Sequence, residues 1–314
     1  MKGKLILKVD DAEQFPEKWE EIRNQGIGGS DIACIMGYNK WKSPYTLWTE
    51  KTGQSQSEDL SDNEFVYWGT VLEQAVANRF VELTGKKVRK CGTLADEEYS
   101  FLHANVDRLV VGENAGLECK TANAFKVEDW EGDEVPDAYY CQCQWYMMVT
   151  GAELWYIACL IGGNHYEWKP IPRNEEFIKE MRETAILFWQ ENVQKNIPPA
   201  VDGSDSTTET LNKMFDEPKE DTVMLPSVAG LLIQRLDELA STKKLLESEI
   251  SMAQNKLKEL LGNSECGMFN DRKVSWKMTA PRVTIDTKLL KAELPDIYQK
   301  YAKTGKASRR FSLK

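Results

Sequence analysis

The sequence predicts an α/β protein over residues 1–199, followed by an extension built around one long helix. Through residues 1–199, short β-like segments alternate with segments whose apolar residues recur at helical spacing. From residue 200 the chain becomes acidic and rich in Ser and Thr, and a heptad pattern of apolar residues follows. We therefore expect three parts: a domain at 1–199, an acidic linker at 200–224 and a helical, basic extension at 225–314.

The composition is that of an ordinary globular protein and excludes several classes. Of the 314 residues, 41% are hydrophobic and 29% are charged. The N-terminus has only a three-residue apolar run, so neither a signal peptide nor a membrane span is expected. The seven cysteines form no CxxC pair, and several lie in apolar segments, as reduced thiols do. A cytoplasmic protein is therefore expected.

The first strong local signal is a glycine-rich turn. Residues 15–25 predict a short helix that delivers Arg23 just before the stretch GIGGSD at 26–31. Glycines there allow close backbone approach, and Ser30 with Asp31 can cap a following helix. Such a turn can bind an anion through its free backbone N–H groups. An ordinary junction between a loop and a helix explains the same residues.

A long helix is predicted at 64–84, where Gly85 ends an apolar pattern of helical period. Glu73 lies beside the apolar stripe of this helix rather than opposite it. Glutamates in that position are commonly solvated flank residues. If Glu73 instead faces the strands that follow, it is an acidic metal ligand.

Residues 101–111 and 115–120 predict a β-hairpin whose charged residues are unusual for buried strands. Side chains two apart in a strand share a face, so Glu118 and Lys120 point one way and Cys119 the other. Asp107 comes from the neighbouring strand. Two carboxylates and an ammonium on one patch suit Mg²⁺-assisted hydrolysis of a phosphodiester. A hairpin with a solvated polar face explains the same pattern.

Residues 138–150 predict an apolar, aromatic helix whose only amides are Gln142 and Gln144. A buried amide usually satisfies a backbone group. Two amides in one aromatic helix indicate that at least one faces a polar cleft, although a structural role for both stays open. Further strands and a helix at 175–194 complete the domain.

The extension combines an apolar helix with a basic end. Residues 225–262 place apolar side chains at heptad core positions, with Lys243 as the one interruption. An unbroken helix there would be on the order of 55 Å long, and it needs a partner in this chain or in another subunit. The net charge of the chain is −10, yet residues 266–314 carry a net +8. That segment could contact DNA phosphates, the acidic linker or a partner protein.

The spacing Asp107-x10-Glu118-Cys119-Lys120 resembles the PD-(D/E)xK nuclease signature, with Val106 in place of its proline. The stretches GIGGSDIACIMGYNKW, WGTVLEQAVANRF, NVDRL, LECKT and YYCQCQWYMMVTG are similar, in order and spacing, to the YqaJ viral recombinase family, relatives of the phage lambda exonuclease. The resemblance covers residues 19–161. It implies a restriction-endonuclease-like mixed central sheet flanked by helices, with the long helix and a small α+β extension at the C-terminus.

The resemblance also implies roles for individual residues. Divalent metal would be bound by Glu73, Asp107, Glu118 and the backbone carbonyl of Cys119. Two Mg²⁺ ions per site are expected, with Mn²⁺ as a substitute. Lys120 would orient or activate the attacking water, and Gln142 matches the active-site glutamine of the family. Arg23 and Ser30 match residues that hold a 5′-terminal phosphate.

The function implied is a Mg²⁺-dependent 5′→3′ exonuclease acting on double-stranded DNA ends. It would be encoded by a phage or prophage, work in the cytoplasm of a bacterial host, and leave 3′ single strands for a single-strand annealing recombinase. A homo-oligomer, a trimeric ring by resemblance, is expected. Two alternatives stay open: an endonuclease of the same fold, and a nuclease-inactive DNA-binding or scaffold protein.

Overall fold

The structure, a computed structural model, describes residues 2–56, 60, 62–305 and 309–313. The chain divides into two units, Met1–Phe215 and Asp216–Lys314. Within the described residues, no helix has the length and apolar character that crossing a membrane requires. The seven cysteines are all free thiols.

The strands of the first unit form two sheets. They are β1 (Lys4–Leu7), β2 (Val88–Lys90), β3 (Thr93–Ala95), β4 (His103–Asn105), β5 (Arg108–Val110), β6 (Ala115–Ala122), β7 (Leu154–Ile161) and β8 (His165–Pro172). The central sheet has the order β2-β5-β6-β7-β8, and a smaller sheet has the order β1-β3-β4. Strands β6 and β7 are parallel, whereas their neighbours pair antiparallel. The mixed central sheet that the resemblance implied is therefore confirmed.

Helices cover both faces of the central sheet. They are α1 (Val9–Gln14), α2 (Pro16–Asn24), α3 (Gly29–Ile35), α4 (Pro44–Lys51), α5 (Glu64–Thr84), α6 (Asp137–Thr150), α7 (Glu175–Leu187) and α8 (Asp205–Met214). Local sequence sets their ends. The Asn63 side chain caps α5, and Gly85 ends it with φ at +71°. The last turns of the helix expected at 175–194 are wound as a π-helix over Phe188–Val193.

Two apolar clusters hold the helices against the sheet. On one face, α5 packs Val76 and Phe80 against Leu117 of β6. On the other face, Trp145 of α6 and Trp155 of β7 lie in the larger cluster. Because side chains alternate along β6, this arrangement points Leu117 towards α5 and the next residue, Glu118, towards α6.

Residues 86–94, and the segment expected as one strand at 101–111, each divide into two strands. The first divides at Gly92, where a Cβ would lie 2.0 Å from the Leu7 carbonyl oxygen of β1. The second divides between β4 and β5, because β4 pairs with β3 in the small sheet while β5 pairs with β6. The hairpin is thus confirmed for β5 and β6, but Asp107 lies at the crossing between two sheets rather than inside a strand of the hairpin.

Part of the segment expected as an acidic linker is helical and docked. Helix α8 packs against α4 through hydroxyl groups: Thr207 Oγ1 donates to Ser43 Oγ at 2.8 Å, and Thr46 Oγ1 lies 2.8 Å from Thr210 Oγ1. Thr207 and Thr210 are buried. The Ser and Thr residues that suggested a loose linker instead pair with one another across two helices.

The second unit consists of a long helix, a hairpin and two short helices. These are α9 (Val228–Leu261), β9 (Cys266–Phe269), β10 (Arg272–Ser275), α10 (Thr287–Glu293) and α11 (Pro295–Tyr301). Helix α9 begins three residues later than the heptad pattern does, so Leu225 precedes it. None of its side chains is buried. Strands β9 and β10 pair antiparallel around Asn270, which adopts a positive φ of 49°.

Candidate active site

The charged residues of β6 form an ion pair on the face towards α6, with Glu118 buried and Lys120 partly exposed. Lys120 Nζ lies 2.5 Å from Glu118 Oε1, as their spacing in the strand predicted. Glu118 is only 2% exposed, so its charge depends on partners inside the protein. Asp107 joins them from the crossing between the two sheets, where its Oδ2 accepts a hydrogen bond from the Cys119 backbone N–H at 2.9 Å.

Gln142 of α6 binds both members of this ion pair. Its Nε2 donates to Glu118 Oε1 at 2.9 Å, and its Oε1 accepts from Lys120 Nζ at 3.0 Å. Tyr146, one turn further along α6, lies 2.6 Å from the same Nε2 through its hydroxyl. Gln144 points elsewhere and donates to the Pro172 carbonyl. One amide of the aromatic helix thus faces the polar cleft, and the other satisfies backbone.

Glu73 reaches the same place from α5 because of a residue that sequence reasoning missed. Arg108, which is 4% exposed, places its Nη1 2.5 Å from Glu73 Oε1. The same guanidinium donates to Gln74 Oε1 at 3.1 Å and to the Asp107 carbonyl at 2.7 Å. Arg108 therefore ties α5 to the strand crossing. The sequence did carry a signal for this pair, because Arg108 begins an otherwise apolar strand. A buried guanidinium requires a carboxylate partner.

The site concentrates negative charge where water is scarce. Burial, followed by the Glu118 carboxylate, raises the pKa of Asp107 to about 7. Burial, followed by Asp107, also raises the pKa of Glu73. Burial acts to lower the pKa of Lys120, but the Glu118 and Asp107 carboxylates outweigh it and raise that pKa above its usual range. The ammonium is therefore protonated at neutral pH.

The donor set fits a hard divalent cation. Glu118 Oε2 is buried and has no hydrogen-bond partner, which leaves a carboxylate oxygen to be satisfied. A cation beside it would also remove the repulsion that raises the pKa of Asp107. In the parts of the chain that the structure describes, no group of three or more His, Cys, Asp and Glu side chains is arranged to hold a metal. The carboxylates instead form ion pairs with Arg108 and Lys120 and accept a hydrogen bond from a backbone N–H.

The glycine-rich turn lies directly behind Gln142. A Cβ on Gly29 would stand 2.7 Å from the Tyr146 ring and 3.1 Å from Gln142 Cγ, so only glycine fits. Asp31, rather than Ser30, caps the turn: its Oδ2 accepts from the Gly28 N–H at 3.0 Å. The Lys51 ammonium, which also pairs with Asp31 at 2.8 Å, was not anticipated.

The two residues expected at a 5′-phosphate flank this turn. Ser30 is exposed on α3. Arg23 is half-buried, its guanidinium lies 5.2 Å from the centre of the Trp19 ring, and its carbonyl accepts from Lys51 Nζ at 2.6 Å. Burial acts to raise the pKa of Asp31, but Lys51 and Arg23 hold it below its usual value. Arg23 is thus close enough to the turn to act on its charge.

Two clefts meet at the carboxylates. One, of about 250 Å³, is lined by Glu73, Asp107, Glu118, Lys120 and the first turns of α5. The other, of about 480 Å³, shares Glu73 and Asp107 and continues past Arg108 to Trp19. The acidic groups can therefore be reached from two sides. The structure brings together Glu73, Asp107, Glu118, Lys120 and Gln142, while Arg23 and Ser30 lie by the neighbouring turn; the roles of all seven stay predictions.

Comparisons with known proteins bear on the family and the fold. The family model of the YqaJ-like viral recombinase domain matches residues 18–153. The YqaJ protein of Bacillus subtilis (strain 168) is 39% identical over 314 residues, covering 96% of this chain and 95% of that protein. Protein D345L of African swine fever virus is 32% identical over 79 residues, which are 25% of this chain and 22% of that protein.

Among solved structures, an alkaline exonuclease from Laribacter hongkongensis is similar with a TM-score of 0.50 and 21% identity. The match covers 58% of this chain and 94% of that one. The fold is therefore the helix-flanked mixed sheet of a nuclease-fold protein. The chain belongs to the YqaJ-like viral recombinase family.

Proposed function

We propose that this protein is a divalent-metal-dependent deoxyribonuclease that degrades double-stranded DNA from its ends in the 5′→3′ direction. The observation that carries the proposal is the hydrogen-bonded triangle of buried Glu118, partly exposed Lys120 and Gln142 beside Asp107 and Glu73. An ordinary solvated hairpin would leave those charges in water, whereas here they line one cleft. The alkaline exonuclease of similar fold supports the same class of reaction.

The acidic residues would hold the metal. Glu73, Asp107, Glu118 and the Cys119 carbonyl offer hard oxygen ligands that suit two Mg²⁺ ions, for which Mn²⁺ would substitute. Bound there, the ions would neutralise the charge of the phosphate and lower the pKa of water. Arg108 would keep the Glu73 carboxylate at the cleft, because its guanidinium binds one carboxylate oxygen and leaves the other for a ligand.

Lys120 and Gln142 would align the attacking water. A protonated Lys120 donates hydrogen bonds to the water and to the phosphate oxygens, so it acts as a positioning cation. Gln142 limits the movement of Lys120 and Glu118 relative to each other, because its single amide bonds to both. Attack at phosphorus breaks the bond to the 3′ oxygen of the leaving nucleotide, which takes up a proton and departs with a 3′ hydroxyl, while the phosphate stays on the 5′ oxygen of the next nucleotide.

Polarity would come from the glycine-rich turn. Arg23 and Ser30 lie beside the helix start that packs on Gln142, so a terminal phosphate held there would set the distance to the scissile bond. The 3′ single strands left behind would be the substrate of a single-strand annealing recombinase. We propose a homo-oligomer, by family resemblance a trimeric ring, as the form that encloses the duplex.

Three DNA substrates of one sequence test the proposal: a linear duplex with 5′ phosphates, the same duplex with 5′ hydroxyls, and a covalently closed circle. With Mg²⁺ we expect release of 5′ mononucleotides from the linear forms, fastest from the 5′-phosphorylated one, and an intact circle. Arg23→Ala should remove the preference for the phosphate while keeping cleavage. Cutting of the circle would favour the endonuclease alternative, and no cutting of any substrate would favour the inactive scaffold.

A further inference from the structure

Helix α9 exposes a continuous row of large apolar side chains. Leu232, Leu236, Leu239, Leu246 and Ile250 are 42–61% exposed, although they occupy the core positions of a heptad repeat. A helix of this kind is marginal in water unless its apolar face is packed. We propose that α9 binds the α9 helix of a second copy of this chain as an antiparallel two-stranded coiled coil. A two-fold pair of this kind cannot link all three chains of one ring, so it would join chains of different rings. The inference does not depend on nuclease activity.

Lys243 decides between parallel and antiparallel pairing. It stands at a core position, in the row that runs Ala229, Leu236, Lys243, Ile250. In a parallel pair in register, the two Lys243 ammonium groups would face each other in the same core layer, and no opposite charges would meet across the flanks. In an antiparallel pair, each Lys243 faces a leucine and can turn towards Glu247 of its own helix, 3.8 Å away.

The flanking charges select one antiparallel register. When Lys243 packs opposite Leu239 of the other copy, Arg235 lies beside Glu249 of that copy, and symmetry repeats the contact. Shifting the register by one heptad to lengthen the overlap brings Arg235 next to Lys256 instead. A further heptad places Glu249 beside Glu249. Only the first register gains two attractive pairs and no repulsive pair.

Arg235 has donors to spare for this contact. Its Nη1 lies 3.2 Å from Glu238 of the same helix, and both side chains are more than half exposed. A guanidinium carries five N–H donors and can serve two carboxylates at once. The intrachain contact therefore orients Arg235 without using up its capacity.

The same register leaves room for the hairpin of the second unit. It ends the paired section at Ala253, which lies opposite Ala229 of the other copy. Beyond that point, Lys258 lies over the Trp276 ring at 5.8 Å, and the Leu261 side chain abuts Gly267 of β9. A register one heptad longer would bring the second helix against Leu261, where the hairpin already packs. Charge and space thus agree on one arrangement.

Cysteine pairs in the full-length chain test the register directly. We expect a disulfide between copies when Leu239→Cys chains are mixed with Lys243→Cys chains, because facing core positions approach within disulfide range. Each variant alone should give little product, and so should Lys243→Cys mixed with Leu246→Cys, which reports the longer register. The unsubstituted chain, treated identically, accounts for the native thiols. Self-crosslinking of Leu239→Cys alone, a variant that keeps Lys243, would show a parallel pair and overturn the proposal.

Charge exchange tests the flanking pairs without new cysteines. Arg235→Glu should weaken self-association measured by sedimentation about tenfold, because two attractive pairs become repulsive. Arg235→Glu combined with Glu249→Arg should restore it. Reversal of Asp237, which is exposed at an outward position of the heptad, is the matched control and should change little. An equal effect of the single and double exchanges, or an unsubstituted chain without any contact through α9, would overturn the proposal.

Discussion

Folded chains usually bury apolar side chains and expose charged ones, and the two units depart from this rule in opposite ways. The first unit buries charge: Glu118 is 2% exposed and Arg108 is 4% exposed. The second exposes apolar groups, with Leu246 at 54%. Each choice costs free energy unless a partner offsets it. In the first unit the partners are other side chains of the same unit, so changes there should alter chemistry and stability. In the second we propose that the partner is another copy of the chain, so changes there should alter assembly.

The largest expected effect is on hydrolysis. Glu118→Ala or Lys120→Ala should lower the cleavage rate by about 10³-fold or more, because a metal ligand or the water-positioning cation is lost. DNA binding measured with Ca²⁺ should persist, since the contacts to the duplex lie mostly elsewhere.

Lys126→Ala is the matched control for Lys120→Ala, because Lys126 lies in an exposed pair with Asp129. It should retain full activity. Cleavage at the unsubstituted rate by Lys120→Ala would refute the assignment of the site.

A smaller but distinct effect is expected from Arg108. Arg108→Ala should lower the free energy of unfolding by about 3 kcal/mol, because Glu73 loses its buried partner. It should also weaken Ca²⁺ binding in calorimetry, since Glu73 is no longer held at the cleft. Arg79→Ala on the same helix removes an exposed pair with Glu82 and should cost less than about 0.5 kcal/mol. Unchanged Ca²⁺ affinity in Arg108→Ala would leave Arg108 a purely structural residue.

Stability should respond to pH and metal together. The folded pKa of Asp107, about 7, lies above its ordinary value of 3.8, so the folded protein binds the proton more tightly than the unfolded chain. Stability from this group is therefore present at low pH and lost as pH rises towards 7. Ca²⁺ competes with that proton, so its stabilising effect should grow from pH 5.5 to pH 8, reaching about 2.7 kcal/mol at one hundred times its Kd.

Thermal unfolding of the unsubstituted protein and of Asp107→Asn, each with and without Ca²⁺, checks this linkage. The variant should lose both the slope with pH and most of the response to Ca²⁺. A Ca²⁺ response of equal size in the two proteins would place the cation elsewhere.

The smallest expected effect concerns the basic end of the second unit. In a Glu118→Gln background, a chain ending at residue 265 should bind duplex DNA less tightly and with a flatter salt dependence. Each lost phosphate contact reduces the slope of log K against log salt by roughly 0.9. Binding measured at two salt concentrations tests whether residues 266–314 contact DNA. An unchanged slope would exclude that contact, and the basic segment would then pack against the chain or bind a partner protein.

Features fixed by short-range pattern could be predicted from the sequence. The bounds of α5 follow from its apolar period and from Gly85, and the shared face of Glu118 and Lys120 follows from the strand period. Features that depend on distant partners could not. Arg108 with Glu73, and Lys51 with Asp31, are pairs between elements whose approach no local pattern specifies.

The same reason explains the errors at the sheet crossing and at α8. A run of β-forming residues does not reveal that β4 and β5 join different sheets. Hydroxyl side chains favour loops in isolation, and only the facing hydroxyls of α4 make α8 stable where it lies.

The parallel pairing of β6 with β7 has a consequence for how the protein is synthesised. Parallel strands need a crossover, and here the crossover is α6, which carries Gln142. Glu118 and Lys120 leave the ribosome first and stay without their shared amide until α6 has docked and β7 has paired. If the proposed nuclease activity is correct, a nascent chain that ends before residue 161 cannot cut DNA. The cell that makes the protein would then meet the proposed activity only after synthesis has passed the middle of the chain.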